Sequence, residues 1–356
     1  MYFWKCRIME FLNKGKIISI FLAMVMLAVF MTGCEGKMYI TTGLNADQLL
    51  KVSGKEVPMS IAKLVLATEM NGYSGELGDD VWNLKYDGKN LSENLKDTVK
   101  YQLAELLTIS MLADEKNISL SKSEKEKIDA AAKEFYDTLS SEEIKKFGVT
   151  EEQIKNLYNQ FLMSKKFYEA VTERAYIEIS DEDARVIRVQ YCFIRTTMIN
   201  DKGEKVSLNE DGLEAAYNKA CEALEAIKTG TDFTVIAKEY SDDSIYEYEF
   251  GRNTMDQAFE NVAFELNDGE ISDIIKGTNG YYIIKCVSSY DSLKTEENKK
   301  ELLNKYKNEE FKKVYEPYMK NQTFEYNDEA YNDIDINEIV TDNNNLYEIF
   351  DKYNAD

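Results

Sequence analysis

No histidine occurs among the 356 residues, and the chain holds only 2 prolines, 5 cysteines and 2 tryptophans. With no imidazole and no two cysteines close in sequence, no metal centre is expected. So few prolines exclude a Pro-rich disordered chain and long rigid linkers. Positive charge is short as well: 43 Lys and Arg face 65 Asp and Glu, for a net charge of −22. That balance disfavours nucleic acid and anionic lipid as partners. The one long apolar run, residues 17–31, is shorter than the ~20 residues of a typical membrane span. Of the cysteines, Cys192, Cys221 and Cys286 lie beyond residue 34. Their odd number excludes a complete disulfide framework and leaves buried free thiols as the expectation.

What is present suits a folded, multi-domain body. Hydrophobic residues make up 44% and charged residues 30%, and the length predicts two or three domains. The first residues read as a targeting segment. Lys5, Arg7, Lys14 and Lys16 precede the apolar run, which ends in Met31-Thr32-Gly33-Cys34. Small residues before a cysteine resemble the bacterial lipoprotein signal, which implies cleavage after Gly33, lipidation of Cys34 and a membrane-tethered body outside the cytoplasm. Residues 1–33 hold four basic side chains and one acid, so the remainder bears three more negative charges than the whole chain. Met9 is an alternative start to Met1.

Residues 34–180 predict a helical domain without a catalytic constellation. A short β segment at Met38–Thr41 and a turn within Lys51–Val57 lead to Pro58 and a helix through Ile61, Leu64, Val65 and Met70. Residues 72–80 are expected to form a Gly-rich loop. Helical spacing then recurs at Leu95, Val99, Leu103, Leu106 and Leu107. Ser121 with Glu124, and Thr150 with Gln153, are capping boxes that open two more amphipathic helices. After Tyr290 a charged helix from about Thr295 to Tyr318 is expected. Phe324, Tyr326 and Tyr331 suit a short strand or helix, and a solvated acidic tail follows Asp342.

Between these segments lies a β-rich stretch. Val186–Arg195 reads as a strand, residues 200–210 as a polar loop, and Leu213, Tyr217, Ala220, Leu224 and Ile227 as one stripe of a helix. Phe250-Gly251-Arg252 reads as a turn and Phe259, Val262, Ala263 and Leu266 as a short amphipathic helix. Asn267–Glu270 and Thr278–Gly280 are turns, and Tyr281–Val287 is a strand rich in β-branched and aromatic residues.

Residues 186–289 closely resemble a parvulin-type (PpiC-like) peptidyl-prolyl isomerase domain. The family runs Phe-Gly-(basic)-Gly-x-Met, a helix with Phe and Ala-Phe, Gly-Glu-(Ile/Val)-Ser, and Gly-Tyr-His-Ile-Ile-Lys. This chain has Phe250, Gly251, Arg252, Met255, Phe259, Ala263, Phe264, Gly269, Glu270, Ser272, Gly280, Tyr281, Ile283, Ile284 and Lys285 in that order. Upstream, Asp232–Asp242 follows the family pattern Asp-Phe-x-x-(Leu/Ile)-Ala-x-x-x-Ser-x-Asp. The flanking helical segments resemble the client-embracing region of PrsA/SurA-type extracytoplasmic foldases.

The resemblance implies an α+β architecture. Residues 34–180 and a returning C-terminal segment, residues 291–356, would build a helical chaperone-like domain around an inserted isomerase domain, residues 181–290, with about four antiparallel strands. It implies that Met255 and Phe259 form a proline pocket, that Phe193 and Phe264 assist, and that Arg252 guides the substrate carbonyl. Both family histidines are tyrosine here, Tyr191 and Tyr282, and the family's Asp or Cys ahead of the Phe-Gly turn falls near Tyr246, so it is expected to be absent. A prolyl bond has a barrier of ~18–20 kcal/mol, and crossing it needs no cofactor, metal or nucleophile, only a site that favours the twisted amide. Tyrosines still donate and accept hydrogen bonds but do not titrate near neutral pH. The expectation is therefore a foldase acting on unfolded or newly exported proteins, either a working isomerase or a holdase that binds Pro-containing segments and isomerises them weakly or not at all. If Tyr191 and Tyr282 share a sheet face, Cys192 points away from Cys286 and the two are not bridged.

Overall fold

In the computed structural model the described residues are 43–86, 88–174, 177–341, 343 and 345–354. The leader, Cys34 and the β segment expected at Met38–Thr41 lie outside them. The chain divides into two compact units, one made of the residues up to Arg174 together with Glu310–Asp356, the other of Ala175–Glu309.

The first unit opens with a hairpin of β1 (Gln48–Val52) and β2 (Lys55–Pro58). Its two turn residues, Ser53 and Gly54, both have positive φ, +46° and +85°, the backbone that matches a tight hairpin to strand twist. Helix α1 (Met59–Leu77) follows, with Pro58 as its N-cap. Gly72 and Gly75 lie inside it, so the expected Gly-rich loop is instead a helix end. Apolar contacts on α1 outweigh the helix cost of about 1 kcal/mol per glycine. A two-strand ribbon, β3 (Lys85–Tyr86) and β4 (Lys89–Asn90), leads into α2 (Leu91–Glu115), α3 (Lys122–Thr138), α4 (Ser141–Phe147) and α5 (Glu151–Glu173). The expected capping boxes are formed: the amides of Glu124 and Gln153 donate to Ser121 Oγ and Thr150 Oγ1, and the acid or amide side chains reach back.

The second unit begins with a single turn, α6 (Asp181–Ala184), and the long strand β5 (Val186–Arg195). A small hairpin, β6 (Thr197–Ile199) and β7 (Lys205–Ser207), stands where a loop was expected. Then come α7 (Glu210–Lys228), α8 (Phe233–Tyr240), β8 (Glu247–Gly251), α9 (Gln257–Ala263), β9 (Ile275–Lys276) and β10 (Gly280–Ser288). Phe250 and Gly251 thus end a strand rather than form a turn. The four strands make one antiparallel sheet in the order β8-β5-β10-β9. Alternation along the central strands separates two cores. Ile187, Val189, Tyr191 and Phe193 join Tyr282, Ile284 and Cys286 under α9. Cys192, Ile194 and Ile283 pack beneath α7 and α8.

Helix α10 (Ser292–Lys320) places Phe311, Tyr315 and Met319 in the core of the first unit. Strand β11 (Phe324–Tyr326) pairs with β1, giving the sheet order β11-β1-β2. A short turn of helix, α11 (Asp328–Asn332), and a final helix, α12 (Asn345–Asn354), complete it. The tail expected to be solvated is therefore structured. Leu346, Ile349 and Phe350 recur at helical spacing and are buried, while Glu348 and Lys352 face outward. Acidic composition masked a three-residue apolar stripe.

Among the described residues of this unit, two carboxyls are buried, Glu69 and Glu105. Desolvation pushes Glu69 up to about 8, against the opposing hydrogen bond from Tyr347 Oη at 2.7 Å. Desolvation likewise pushes Glu105 up to about 8. Both pKa values lie above the ordinary 4.5 of the unfolded chain. Between about pH 4.5 and 8 the native state therefore holds protons that the unfolded state has lost, so stability falls as pH rises through that window. Urea midpoints measured across it should decline, and Glu69→Gln should flatten part of the decline. Equal slopes for the two proteins would refute the assignment.

Candidate functional site

The ring of Phe259, central in α9 and 0% exposed, is the floor of the second unit's aromatic core. Tyr191 from β5 meets it edge-on at 5.7 Å between centroids, and Tyr282 from β10 does so at 5.1 Å. Phe250 closes a third side at 5.8 Å. The register pairs Tyr282 with Phe193 and Ile284 with Tyr191, so the two tyrosines lie diagonally on neighbouring strands. Phe193 lies against Tyr282 at 4.8 Å with the rings tilted by 30°, and half-buried Met255 packs on the same cluster.

The expected site residues are thus only partly brought together. Tyr191, Tyr282, Phe259, Phe193 and Met255 form one group. Phe259 is sealed, with Tyr191 and Tyr282 standing on it at 6% and 9% exposure and Met255 half-buried on the same cluster. Phe264 belongs to the same buried core through Phe250, 5.7 Å away, whereas Arg252 is held apart from the tyrosines. The Arg252 guanidinium pairs with the Glu182 carboxylate and lies 4.3 Å from the centroid of Phe264, which Arg185 also covers at 4.9 Å. Gly251 pairs with Val186 at the start of β5. Phe193 is seven residues further along, roughly 23 Å of strand. Arg252 is engaged there, away from the Phe193–Tyr282 pair.

An acid does serve the strand hydroxyl. Tyr191 Oη donates to Asp243 Oδ2 at 3.2 Å, so the expectation that no acid stands at this point is corrected. The final Asp of the pattern Ser-x-Asp falls on Asp243, and that spacing was the available signal. Residues 241–246 are laced to β5. Ser241 Oγ accepts from the Phe193 amide at 3.1 Å, the Asp242 amide donates to the Phe193 carbonyl at 2.7 Å, and the Tyr191 amide donates to the Tyr246 carbonyl at 2.8 Å. Burial, and then the Asp243 charge, raise the Tyr191 phenol well above its ordinary value. Burial pushes Tyr282 up to about 12, with the charges of Asp256 and Asp243 adding to the shift. Both remain neutral hydroxyls at any physiological pH.

Gly280 fixes how closely β10 and β5 approach. A Cβ there would lie 2.2 Å from the Ile194 carbonyl oxygen and 2.5 Å from Phe193 Cε2. Gly280→Ala should displace Phe193 from Tyr282 and destabilise the chain by about 1–3 kcal/mol. Urea unfolding checks this, and an unchanged midpoint would show that the strand shifts freely.

Cys192 and Cys286 are buried free thiols on opposite faces of the sheet, and Cys221 is free and half-buried. Burial pushes Cys192 up to about 12, which leaves it an inert thiol.

Chemically, the site offers aromatic edges, one thioether and two neutral hydroxyls, one of them held by a carboxylate. Apolar rings with few fixed dipoles are the chemistry that accommodates an apolar group beside an amide.

Comparison with known proteins places part of this unit in a recognised family model. The family model described as rotamase, PPIC-type PPIASE domain, matches residues 201–288. Tyr282, Met255, Phe259 and Asp243 lie inside the match, whereas Tyr191 and Phe193 precede it. The chain is 26% identical over 316 residues to the foldase protein PrsA of Caldanaerobacter subterraneus subsp. tengcongensis, covering 85% of this chain and 94% of that one. It is 29% identical over 213 residues to the foldase protein PrsA of Staphylococcus aureus strain MRSA252, covering 56% of this chain and 65% of the relative. Among solved structures, the peptidylprolyl isomerase (PrsA) of Bacillus cereus aligns over 76% of this chain and 95% of its own at 20% identity, with a TM-score of 0.36.

Proposed function

We propose that this chain is an extracytoplasmic foldase carrying a PpiC-type, parvulin-like domain, and that it binds unfolded, Pro-containing segments of exported proteins at the Tyr191–Tyr282 face. The observation that carries the reading is the assembly of that face. Tyrosines from two adjacent strands stand on the same buried Phe259, and Asp243 holds one of the hydroxyls. In this reading residues 181–290 are the isomerase-like domain, and residues 34–180 with 291–356 are the chaperone-like domain. Residues 1–33 are the removed leader, and Cys34 carries the lipid that tethers the body to the membrane.

A prolyl amide loses conjugation when it twists, and a site accelerates exchange only by binding the twisted form more tightly than either planar form. Here the proline ring would rest on Met255, Phe193 and the phenol edges, excluding water from one side of the amide. The phenol hydroxyls supply weak dipoles, and Asp243 fixes the direction in which Tyr191 points its proton. The rings cover Phe259, so the proline sits higher than it would on an open floor. We therefore infer good binding with slow exchange.

The test measures two activities of the full chain side by side. Suppression of client aggregation is expected, together with prolyl exchange in a short peptide close to the uncatalysed time of tens of seconds. Fast exchange would refute slow catalysis, and absence of both activities would refute the foldase reading.

A further inference from the structure

Buried acids outside the tyrosine pair include Glu260, 3% exposed and next in sequence to Phe259 on α9. Its carboxylate faces the segment between β8 and α9. Oε1 accepts from the Asn253 amide at 2.9 Å and Oε2 from the Thr254 amide at 3.2 Å. Asn253 has φ +63°, one of three non-glycine residues with positive φ among the described residues. Asn tolerates this left-handed region better than most L-residues, though at a cost that glycine does not bear. Thr254 Oγ1 adds a bond to the Gly251 carbonyl at 2.8 Å. The next residue is Met255, the half-buried thioether on the aromatic core. On the other side of Met255, Asp256 caps α9 through the Ala258 amide at 3.0 Å and holds the Thr278 amide at 2.9 Å. Met255 thus sits between two anchored segments.

We infer that Glu260 is a positioning residue: its buried carboxylate clamps the 253–254 turn, with Asn253 in the left-handed conformation, so that Met255 is delivered to the prolyl-binding face. The donor set explains the residue type. Both partners are N–H donors, and a carboxylate is acceptor-only at both oxygens. Glutamine would turn its own N–H group toward one of them, and a buried donor facing a donor is left unpaired. A charged group is retained in an apolar core only where hydrogen bonds compensate it, and here the compensation comes from the turn itself.

This inference rests on the prolyl-binding reading for its consequence, and its structural part is tested separately. In the full chain, Glu260→Gln should speed deuterium uptake of the peptide spanning residues 251–256 by about 10-fold, while uptake in β5 and β10 stays unchanged. The same variant should weaken binding of a short peptide with a central aromatic–proline pair by about 10-fold. Asn253→Gly added to Glu260→Gln should recover most of the affinity, because glycine adopts positive φ without the clamp. Should Glu260→Gln alone fail to fold, the double variant carries the same readouts, and its failure to fold would overturn the clamp. Unchanged uptake at 251–256, or equal acceleration across the whole sheet, would also overturn it. Faster uptake at 251–256 with no peptide bound by the wild type would leave the clamp standing and remove the prolyl-binding reading.

Discussion

The double variant Tyr191→His/Tyr282→His should isomerise prolyl peptides about 100-fold faster than the wild type, the lower range for a positioned acid–base or dipolar group. Imidazole is smaller than phenol, so both changes remove bulk from above Phe259, which the native rings cover at 5.1 and 5.7 Å. A proline ring then settles lower, against the floor. Imidazole also titrates near neutral pH, where the two phenols stay fully protonated. Asp243 already stands 3.2 Å from the Tyr191 hydroxyl, and a carboxylate in that position orients a ring N–H. Each single variant should gain much less, since the two rings share one floor and their effects are coupled. Exchange spectroscopy on a proline peptide gives the rates without a coupling protease. If the double variant folds, binds peptide and gains nothing, the native tyrosines are not what limits the rate. Adding Asp243→Asn to the double variant should remove a large part of the gain.

Phe350→Ala should cost about 3–5 kcal/mol of stability, the range for deleting a fully buried phenyl ring. Phe350 is 1% exposed and lies 5.4 Å from both Tyr158 and Phe161. Beside it, Tyr158 Oη donates to the Leu346 carbonyl at 2.6 Å, and Tyr353 and Lys352 both bind the Glu134 carboxylate. A loss within about 0.5 kcal/mol, the usual effect of a surface change, would return the C-terminal segment to the solvated tail that its acidity suggests. Urea unfolding followed by far-UV circular dichroism decides between the two. The apolar stripe of α12, not the exposed Glu134–Lys352 pair, should dominate, because exposed ion pairs contribute ~0–1 kcal/mol.

Much of the second unit was legible because its chemistry is local. Strand β5 runs from Val186 to Arg195 as its β-branched and aromatic residues indicate. Asp232 caps α8 through the Thr234 and Val235 amides, a bond between residues two and three apart. The four-stranded sheet follows from such segments with the family pattern. Less legible were features that depend on what surrounds a residue. Gly72 and Gly75 suggest a loop until α1 is seen packed in its core. Arg252 looks free to guide a carbonyl until Glu182 and Phe264 take its guanidinium. Asp243 was obscured by the two acids in succession; the structure gives Tyr191 to Asp243 and Lys219, at 2.9 Å, to Asp242.

The order of residues alone determined the absence of imidazole, the acidic surface, the helix caps and the strand alternation that puts Cys192 and Cys286 on opposite faces. Each of these rests on composition or on neighbours a few positions apart, where covalent geometry leaves few options. Tertiary structure decided that two phenols stand on one buried ring, that Phe259 is sealed beneath them, that Glu260 is turned toward the Asn253 turn, and that residues 345–354 close a core begun near residue 49. Those outcomes depend on segments far apart in sequence competing for the same buried volume, and only close packing in three dimensions resolves that competition.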